Sequence, residues 1–291
     1  MTRSRMILVA LLAALLLPSA AHAAKPKQQF YVSLGDSYAT GFQPSAPGEG
    51  ANTHNGFAYQ LPKLAKPRGY RYKLVNFGCG GETTVSLLQR TEPCSARVPG
   101  GEDYAGRTQI AAAEKFIREH RRKVGLITVS IGGNDVTACV READPIPCVA
   151  AAVQAIEANV KRIAERLRKA AGKQPRIVGI TYPDVILGAW VGAIPDQNLA
   201  RLSVAAFQSL INPALKTAYA AGDGRFVDVT AASGAYGPLE ETTTLDPYGV
   251  IPVPVAKVCE LTYYCEFRDI HAKTSGYRLI AELIAKTLPR R

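Results

Sequence analysis

The sequence has few of the features that indicate a metal centre or a nucleotide site. Of 291 residues, two are Met, one is Trp and four are His. No CxxC or HExxH spacing occurs, so a zinc site is not indicated. A Walker A pattern is also missing, and Thr83 stands where a dinucleotide fingerprint beginning at Gly78 and Gly80 needs its third glycine. We therefore expect no metal and no cofactor.

Apolar runs of membrane-spanning length are missing as well. The run from Ile7 to Leu17 is shorter than the roughly 20 residues that a transmembrane helix needs. Two arginines precede it and Ala21-His22-Ala23 follows, a pattern typical of a secretory signal peptide, with an uncleaved anchor as the alternative. We interpret residues 1–23 as the signal and expect residues 24–291 to be secreted into the extracellular space.

The charge and composition indicate an ordinary globular protein. Charged residues make up 20% and hydrophobic residues 47% of the chain, which excludes intrinsic disorder. The formal net charge is +11, but the basic residues are dispersed and no nucleic-acid-binding motif accompanies them. We expect a monomer without a nucleic-acid partner, and loose contact with anionic surfaces stays open.

The cysteines fall in three local pairs, and an even number in an exported protein favours disulfides. Short loop closure favours sequential pairing, although six cysteines permit other pairings. The expected bridges are Cys79 with Cys94, Cys139 with Cys148, and Cys259 with Cys265.

Short runs rich in β-branched residues alternate with helical patterns. This alternation predicts an α/β fold with a parallel sheet covered on both faces. No repeat or linker interrupts it, so residues 24–291 are expected to form a single domain. The predicted strands are Phe30–Leu34, Tyr72–Phe77, Val124–Ser130, Arg176–Thr181 and Arg225–Val229. The clearest helices are Thr108–Lys123, Val149–Ala171 and Gln197–Ala221, the last kinked or interrupted by Pro213.

Reactive residue types follow three of these strands directly. Gly35-Asp36-Ser37 follows the first strand, Gly78 to Thr84 the second, and Gly132-Gly133-Asn134-Asp135 the third. Because ligands of such sheets bind beyond the carboxyl ends of the strands, the three segments are expected to converge on one site.

Ser37 is the candidate nucleophile, and a serine hydroxyl needs a base at neutral pH. Outside the signal, the candidate bases are His54, His120 and His271. His271 is preferred because Asp269 stands close enough to fix its tautomer.

Acyl transfer also needs donors for the charge that develops on the carbonyl oxygen. The Ser37 turn leaves its backbone N–H free, a glycine such as Gly81 allows close backbone approach, and the Asn134 amide is a further donor. Turn formation or helix capping is the alternative for Asn134.

Taken together, these blocks resemble the SGNH (GDSL) hydrolases, a family of serine esterases and lipases. The resemblance implies a flavodoxin-like three-layer α/β/α sandwich with a central five-stranded parallel sheet. It implies that Ser37 attacks the ester, that His271 accepts its proton, and that Ser37, Gly81 and Asn134 form the oxyanion hole. The export signal and the cysteine pairs look most like secreted actinobacterial members.

One position departs from the family pattern. The family commonly has an aspartate three residues before the histidine, whereas this sequence has Arg268 there and its acid, Asp269, two residues before. Either the Asp269 side chain reaches the imidazole of His271, or its backbone carbonyl takes that role.

The substrate class follows from weaker signals. The Gly-x-Ser-x-Gly elbow of α/β-hydrolases is missing. The apolar segments Val185 to Pro195 and Leu245 to Val258 could line an acyl-binding site, with packing onto the core as the alternative. These segments favour lipid or other acyl esters over carbohydrate O-acetyl esters. A non-catalytic lipid- or carbohydrate-binding protein on the same fold is the competing hypothesis.

Overall fold

The computed structural model describes residues 26–104, 106–142, 144–192 and 194–291, so the predicted signal peptide lies outside the described residues. The strands are β1 (Gln28–Gly35), β2 (Phe42–Ala46), β3 (Glu49–Asn52), β4 (Arg71–Asn76), β5 (Val124–Ser130), β6 (Arg176–Ile180), β7 (Arg225–Val227), β8 (Thr242–Leu245) and β9 (Gly249–Pro252). Five of them form an all-parallel sheet in the order β4-β1-β5-β6-β7. The predicted α/β fold with a five-stranded parallel sheet is confirmed.

Helices cover this sheet on both faces. They are α1 (Ser37–Thr40), α2 (Phe57–Ala65), α3 (Thr84–Gln89), α4 (Gln109–Glu119), α5 (Gly133–Thr137), α6 (Pro145–Ala171), α7 (Gln197–Ala206), α8 (Asn212–Ala220), α9 (Val229–Ala232), α10 (Val253–Leu261), α11 (Tyr264–Phe267) and α12 (Thr274–Thr287). The predicted helix Val149–Ala171 begins earlier than expected, at Pro145, because the Asp144 side chain caps it by accepting the Ile146 N–H.

Successive strand residues point to opposite faces and supply two separate cores. Val32 packs in the core formed with α3, α4, α6 and α8, whereas its neighbour Tyr31 packs in the core formed with α2 and α12. The sheet is therefore buried on both sides, which explains the nearly continuous apolar sequence of its strands.

The third predicted helix is interrupted, as Pro213 led us to expect. Helix α7 ends at Ala206, a π-helical turn covers Phe207–Ile211, and α8 resumes at Asn212 with Pro213 in its first turn. Because a proline has no N–H to donate one turn back, the regular helical pattern is interrupted here, and the Asn212 N–H bonds the Phe207 carbonyl five residues earlier.

The three expected disulfides are present, and each braces a loop beyond the carboxyl edge of the sheet. Cys79–Cys94 ties down the segment after β4. Cys139–Cys148 joins the segment after α5 to the start of α6. Cys259–Cys265 joins α10 to α11, just before the loop that carries His271.

Two antiparallel hairpins were not predicted. Strands β2 and β3 form one directly after α1, and β8 and β9 form the other. The segment Leu245 to Val258 covers the end of the second hairpin and most of α10, and it packs with Leu187 and Val191 in a third core.

Within residues 26–291 as described, no helix is both long enough and apolar enough to cross a bilayer.

Candidate active site

The turn that presents Ser37 is fixed by glycine and by a capping carboxylate. Gly35 ends β1 at φ +133°, and a Cβ there would lie 1.9 Å from the Ser130 carbonyl oxygen, so only glycine fits. Asp36 then caps α1, its Oδ1 accepting the Tyr38 N–H at 2.9 Å. Ser37 is the first residue of α1, and its backbone N–H meets no acceptor in the part of the chain that the structure describes.

Ser37, His271 and Asp269 form a continuous hydrogen-bonded series. His271 Nε2 lies 2.7 Å from Ser37 Oγ, and His271 Nδ1 lies 2.6 Å from Asp269 Oδ1. The carboxylate can only accept, so we assign the proton of the neutral imidazole to Nδ1, which leaves Nε2 as the acceptor for the Ser37 hydroxyl. This is the arrangement that makes a serine oxygen nucleophilic.

The Asp269 side chain, and not its carbonyl, contacts the imidazole. Its Oδ1 also accepts the backbone N–H of His271 at 2.9 Å. Burial acts to raise the pKa of the Asp269 carboxyl, but the hydrogen bonds and charge of His271 outweigh it, so the pKa lies below its ordinary value. Arg268, at the family's usual acid position, turns away at φ +55° and donates to the Val191 carbonyl at 2.8 Å.

The other candidate histidines lie elsewhere. His54 packs its ring against Tyr59 with centroids 4.6 Å apart, and His120 stacks on Phe116 at 4.3 Å at the end of α4. Within the described residues neither of them makes a hydrogen bond to Ser37. Of the three histidines, His271 is the one that the structure brings to Ser37.

The Gly81 and Asn134 segments are joined to each other. Asn134 Nδ2 donates one hydrogen to the Glu82 carbonyl at 2.8 Å, which leaves its second amide hydrogen for a ligand. Asp135 accepts the Thr84 N–H at 3.0 Å and the Thr84 hydroxyl at 2.6 Å. Gly81 stands at φ +77° with open space around it, and its N–H meets no acceptor among the described residues.

Two tyrosines near Ser37 were not singled out from the sequence. The Tyr182 hydroxyl donates to Asp36 Oδ2 at 2.6 Å, and the Tyr38 hydroxyl donates to the Ile270 carbonyl at 2.7 Å. Burial raises the pKa of Asp36 to about 7, opposed by its bond from Tyr182. Tyr182 comes just after β6, so the rule that located Ser37 and Asn134 also pointed to it.

A largely apolar cavity of about 400 Å³ opens beside Ser37. It runs between α5, the start of α6, and the segment from α7 through the π-helical turn to α8. Among its described lining residues, Asp36 alone is of a charged type. The lining also includes Asn134 and, at the mouth, the exposed Ile146, Leu202 and Leu210.

The two apolar segments predicted as acyl-binding walls have different positions. Val185 and Ile186, from the first segment, line this cavity. The second segment, Leu245 to Val258, does not line it but packs onto the core, as its alternative interpretation stated.

Among the residues that the structure describes, no cluster of three or more His, Cys, Asp or Glu side chains could hold a metal ion.

Comparison with known proteins assigns the family. Residues 33–279 match the GDSL-like Lipase/Acylhydrolase family, so the chain belongs to that family and is a carboxylic ester hydrolase. No curated protein matches the sequence significantly.

Solved structures support the fold. The extracellular lipase from Streptomyces rimosus superposes with a TM-score of 0.54 at 17% identity, covering 89% of this chain and 99% of that one. The lipase Lip_vut3 from a goat rumen metagenome has a TM-score of 0.54 at 18% identity, covering 90% of this chain and 99% of that one.

Proposed function

We propose that this protein is a secreted serine esterase or lipase that hydrolyses acyl esters, with Ser37 as nucleophile and His271 as base. The observation that carries the proposal is the hydrogen-bonded series from Asp269 through His271 to Ser37, placed beside an apolar cavity. Such a series activates a hydroxyl for attack on a carbonyl carbon.

In the first half of the reaction, Ser37 Oγ attacks the ester carbonyl carbon while its proton passes to His271 Nε2. The tetrahedral intermediate collapses, and the departing alkoxide takes that proton, which leaves an acyl-serine. Water then attacks the acyl carbon, again giving a proton to His271, and Ser37 recovers it as the carboxylic acid leaves. Asp269 holds the imidazole in orientation and favours its protonated form.

Three donors are proposed for the developing oxyanion. They are the backbone N–H groups of Ser37 and Gly81 and the second amide hydrogen of Asn134. The first two have no acceptor among the described residues, and the third is the amide hydrogen that Asn134 does not donate to the Glu82 carbonyl. Losing one such donor typically costs about 10²- to 10³-fold in turnover.

The cavity supports an acyl-lipid substrate over a sugar acetate. A volume of about 400 Å³ lined almost entirely by apolar side chains is larger than an acetyl group needs and is suited to an alkyl chain. The exposed side chains of Ile146, Leu202 and Leu210 at its mouth offer a sugar ring no hydrogen-bond donors or acceptors. Export, as proposed from residues 1–23, is consistent with the three disulfides.

The test is a series of p-nitrophenyl esters from acetate to palmitate, assayed with the mature protein and with Ser37→Ala. We expect kcat/KM to increase beyond acetate as the alkyl chain fills the cavity, and Ser37→Ala to abolish turnover at every length. A sharp maximum at acetate would overturn the acyl-lipid assignment and favour a carbohydrate O-acetyl esterase.

A further inference from the structure

Tyr38 connects the nucleophile turn to the loop that carries the base. It follows Ser37 directly, and its side chain is 3% exposed. Its hydroxyl donates to the carbonyl of Ile270 at 2.7 Å, across 232 residues of sequence. Ile270 is the residue between Asp269 and His271, so this bond fixes the peptide that joins the acid to the base.

The short spacing between acid and base makes this peptide important. Asp269 Oδ1 accepts both the backbone N–H and the Nδ1–H of His271, which closes a tight turn with Ile270 at its centre. The carbonyl of Ile270 takes no part in these two bonds and accepts a hydrogen bond from the Tyr38 hydroxyl instead.

The ring of Tyr38 is held on two sides. It packs edge-on against Tyr182 with centroids 4.9 Å apart and against Tyr277 at 5.5 Å. Both neighbours are fixed by their own hydroxyls, Tyr182 on Asp36 at 2.6 Å and Tyr277 on the Phe42 carbonyl at 2.8 Å. Burial raises the pKa of Tyr38 well above its ordinary value, so its hydroxyl keeps its proton and stays a donor.

We infer that Tyr38 is a positioning residue, whose hydroxyl sets the Asp269-Ile270-His271 turn so that His271 Nε2 reaches Ser37 Oγ at 2.7 Å. It adapts the site to an acid two residues before the histidine. The role in turnover rests on the proposed function, but the role in placing the imidazole does not.

Tyr38→Phe removes the hydroxyl and keeps the ring. For a soluble short-chain ester we expect kcat to fall between about 10- and 100-fold with KM little changed, because a small displacement of a catalytic group has effects of this size. In the resting protein, the low-field proton resonance of the His271 Nδ1–H bound to Asp269 should shift or broaden.

Tyr219→Phe is the control. It removes a buried tyrosine hydroxyl that donates to a backbone carbonyl, that of Val129 at 3.3 Å, in the core on the other face of the sheet from Tyr38. We expect this variant to lower the melting temperature, yet to keep kcat within about threefold and to leave the low-field resonance in place.

Replacement of Tyr38 by p-aminophenylalanine restores an N–H donor at the same place and should recover both the resonance and turnover, including where Tyr38→Phe folds poorly. The inference is overturned if Tyr38→Phe keeps the wild-type resonance and kcat, or if Tyr219→Phe changes both equally. If the wild-type protein hydrolyses no ester but the resonance still changes in Tyr38→Phe alone, the proposed function is refuted and the positioning role is supported.

Discussion

At the scale of single residues, Asp269 is the candidate acid because its carboxylate contacts the imidazole, although it does not stand at the family's usual motif position. Asp269 stands one position away from the family's usual aspartate, yet its carboxylate lies 2.6 Å from the imidazole. Arg268 occupies the usual position and is directed to Val191 instead. Arg268 has a left-handed backbone conformation, with φ +55°, which turns the chain so that the side chains of Arg268 and Asp269 reach different partners.

Asp269→Asn should therefore reduce kcat by roughly 10²- to 10⁴-fold, because an amide that donates to Nδ1 favours the wrong tautomer. Since the pKa of Asp269 is below its ordinary value, the carboxylate is ionised at neutral pH, and its contribution is lost only as pH falls through that lowered pKa. The loss should therefore be present in full when wild-type and variant kcat are compared at about pH 8.

The control for this measurement is Glu266→Gln, which removes an acid that pairs with Lys273 beside the same loop. We expect it to keep nearly full activity. A loss in Asp269→Asn no larger than the loss in Glu266→Gln would mean that the carboxylate does not orient His271.

At the scale of elements, the interrupted helix forms one wall of the cavity. The π-helical turn Phe207–Ile211 lies between α7 and α8, and residues of all three segments line the space next to Ser37. Such turns occur often at functional sites. The irregular turn just before Pro213 thus lies against the site proposed for the acyl group.

Ala206→Trp should shorten the acyl chain that the enzyme accepts, because Ala206 lines a cavity of only about 400 Å³. We expect kcat/KM for palmitate to fall about tenfold or more relative to butyrate, a size typical of removing a few methylene contacts. Ala220→Trp places the same side chain at an exposed position at the end of α8, away from the cavity lining, and should leave the ratio unchanged. If the ratio of kcat/KM for palmitate to that for butyrate is unchanged in Ala206→Trp, this cavity does not bind the acyl chain.

The elements differ in how well the sequence predicted them. The five parallel strands and the long helices were predicted because apolar periodicity dominates there. Helix α2 was missed, since Pro62 stands inside it, and the two hairpins were missed because they are short and contain Gly and Pro. The segment Leu245 to Val258 is apolar because it packs into a core, and it does not line the cavity. The sequence does not distinguish these two reasons for an apolar segment, because the difference lies in tertiary packing.

At the scale of the whole molecule, the topology brings Ser37, near the start of the described chain, next to His271, near its end. Strand β1 lies between β4 and β5, so Ser37 emerges near the middle of the carboxyl edge. Helix α12 packs with α2 on one face of the sheet, which places the preceding loop over that edge. Ser37 and His271 thereby meet although they are 234 residues apart in sequence.

This topology explains which site residues could be predicted. Ser37, Gly81 and Asn134 follow strand ends, so a parallel sheet alone places them at one edge. His271 was inferred from chemistry, because a serine needs a base. The bonds of Tyr38 to Ile270 and of Tyr182 to Asp36 join distant segments through side chains, and no local pattern in the sequence predicts such pairs.

The most direct test of the account is covalent labelling of the folded protein with a fluorophosphonate, followed by intact mass and peptide mapping. We predict one label per chain, on Ser37, with at least about 10³-fold slower labelling of His271→Ala and unchanged labelling of Ser275→Ala, a nearby exposed serine. A folded protein that takes no label, or takes it on another residue, would contradict the hydrolase assignment and favour a non-catalytic binding protein.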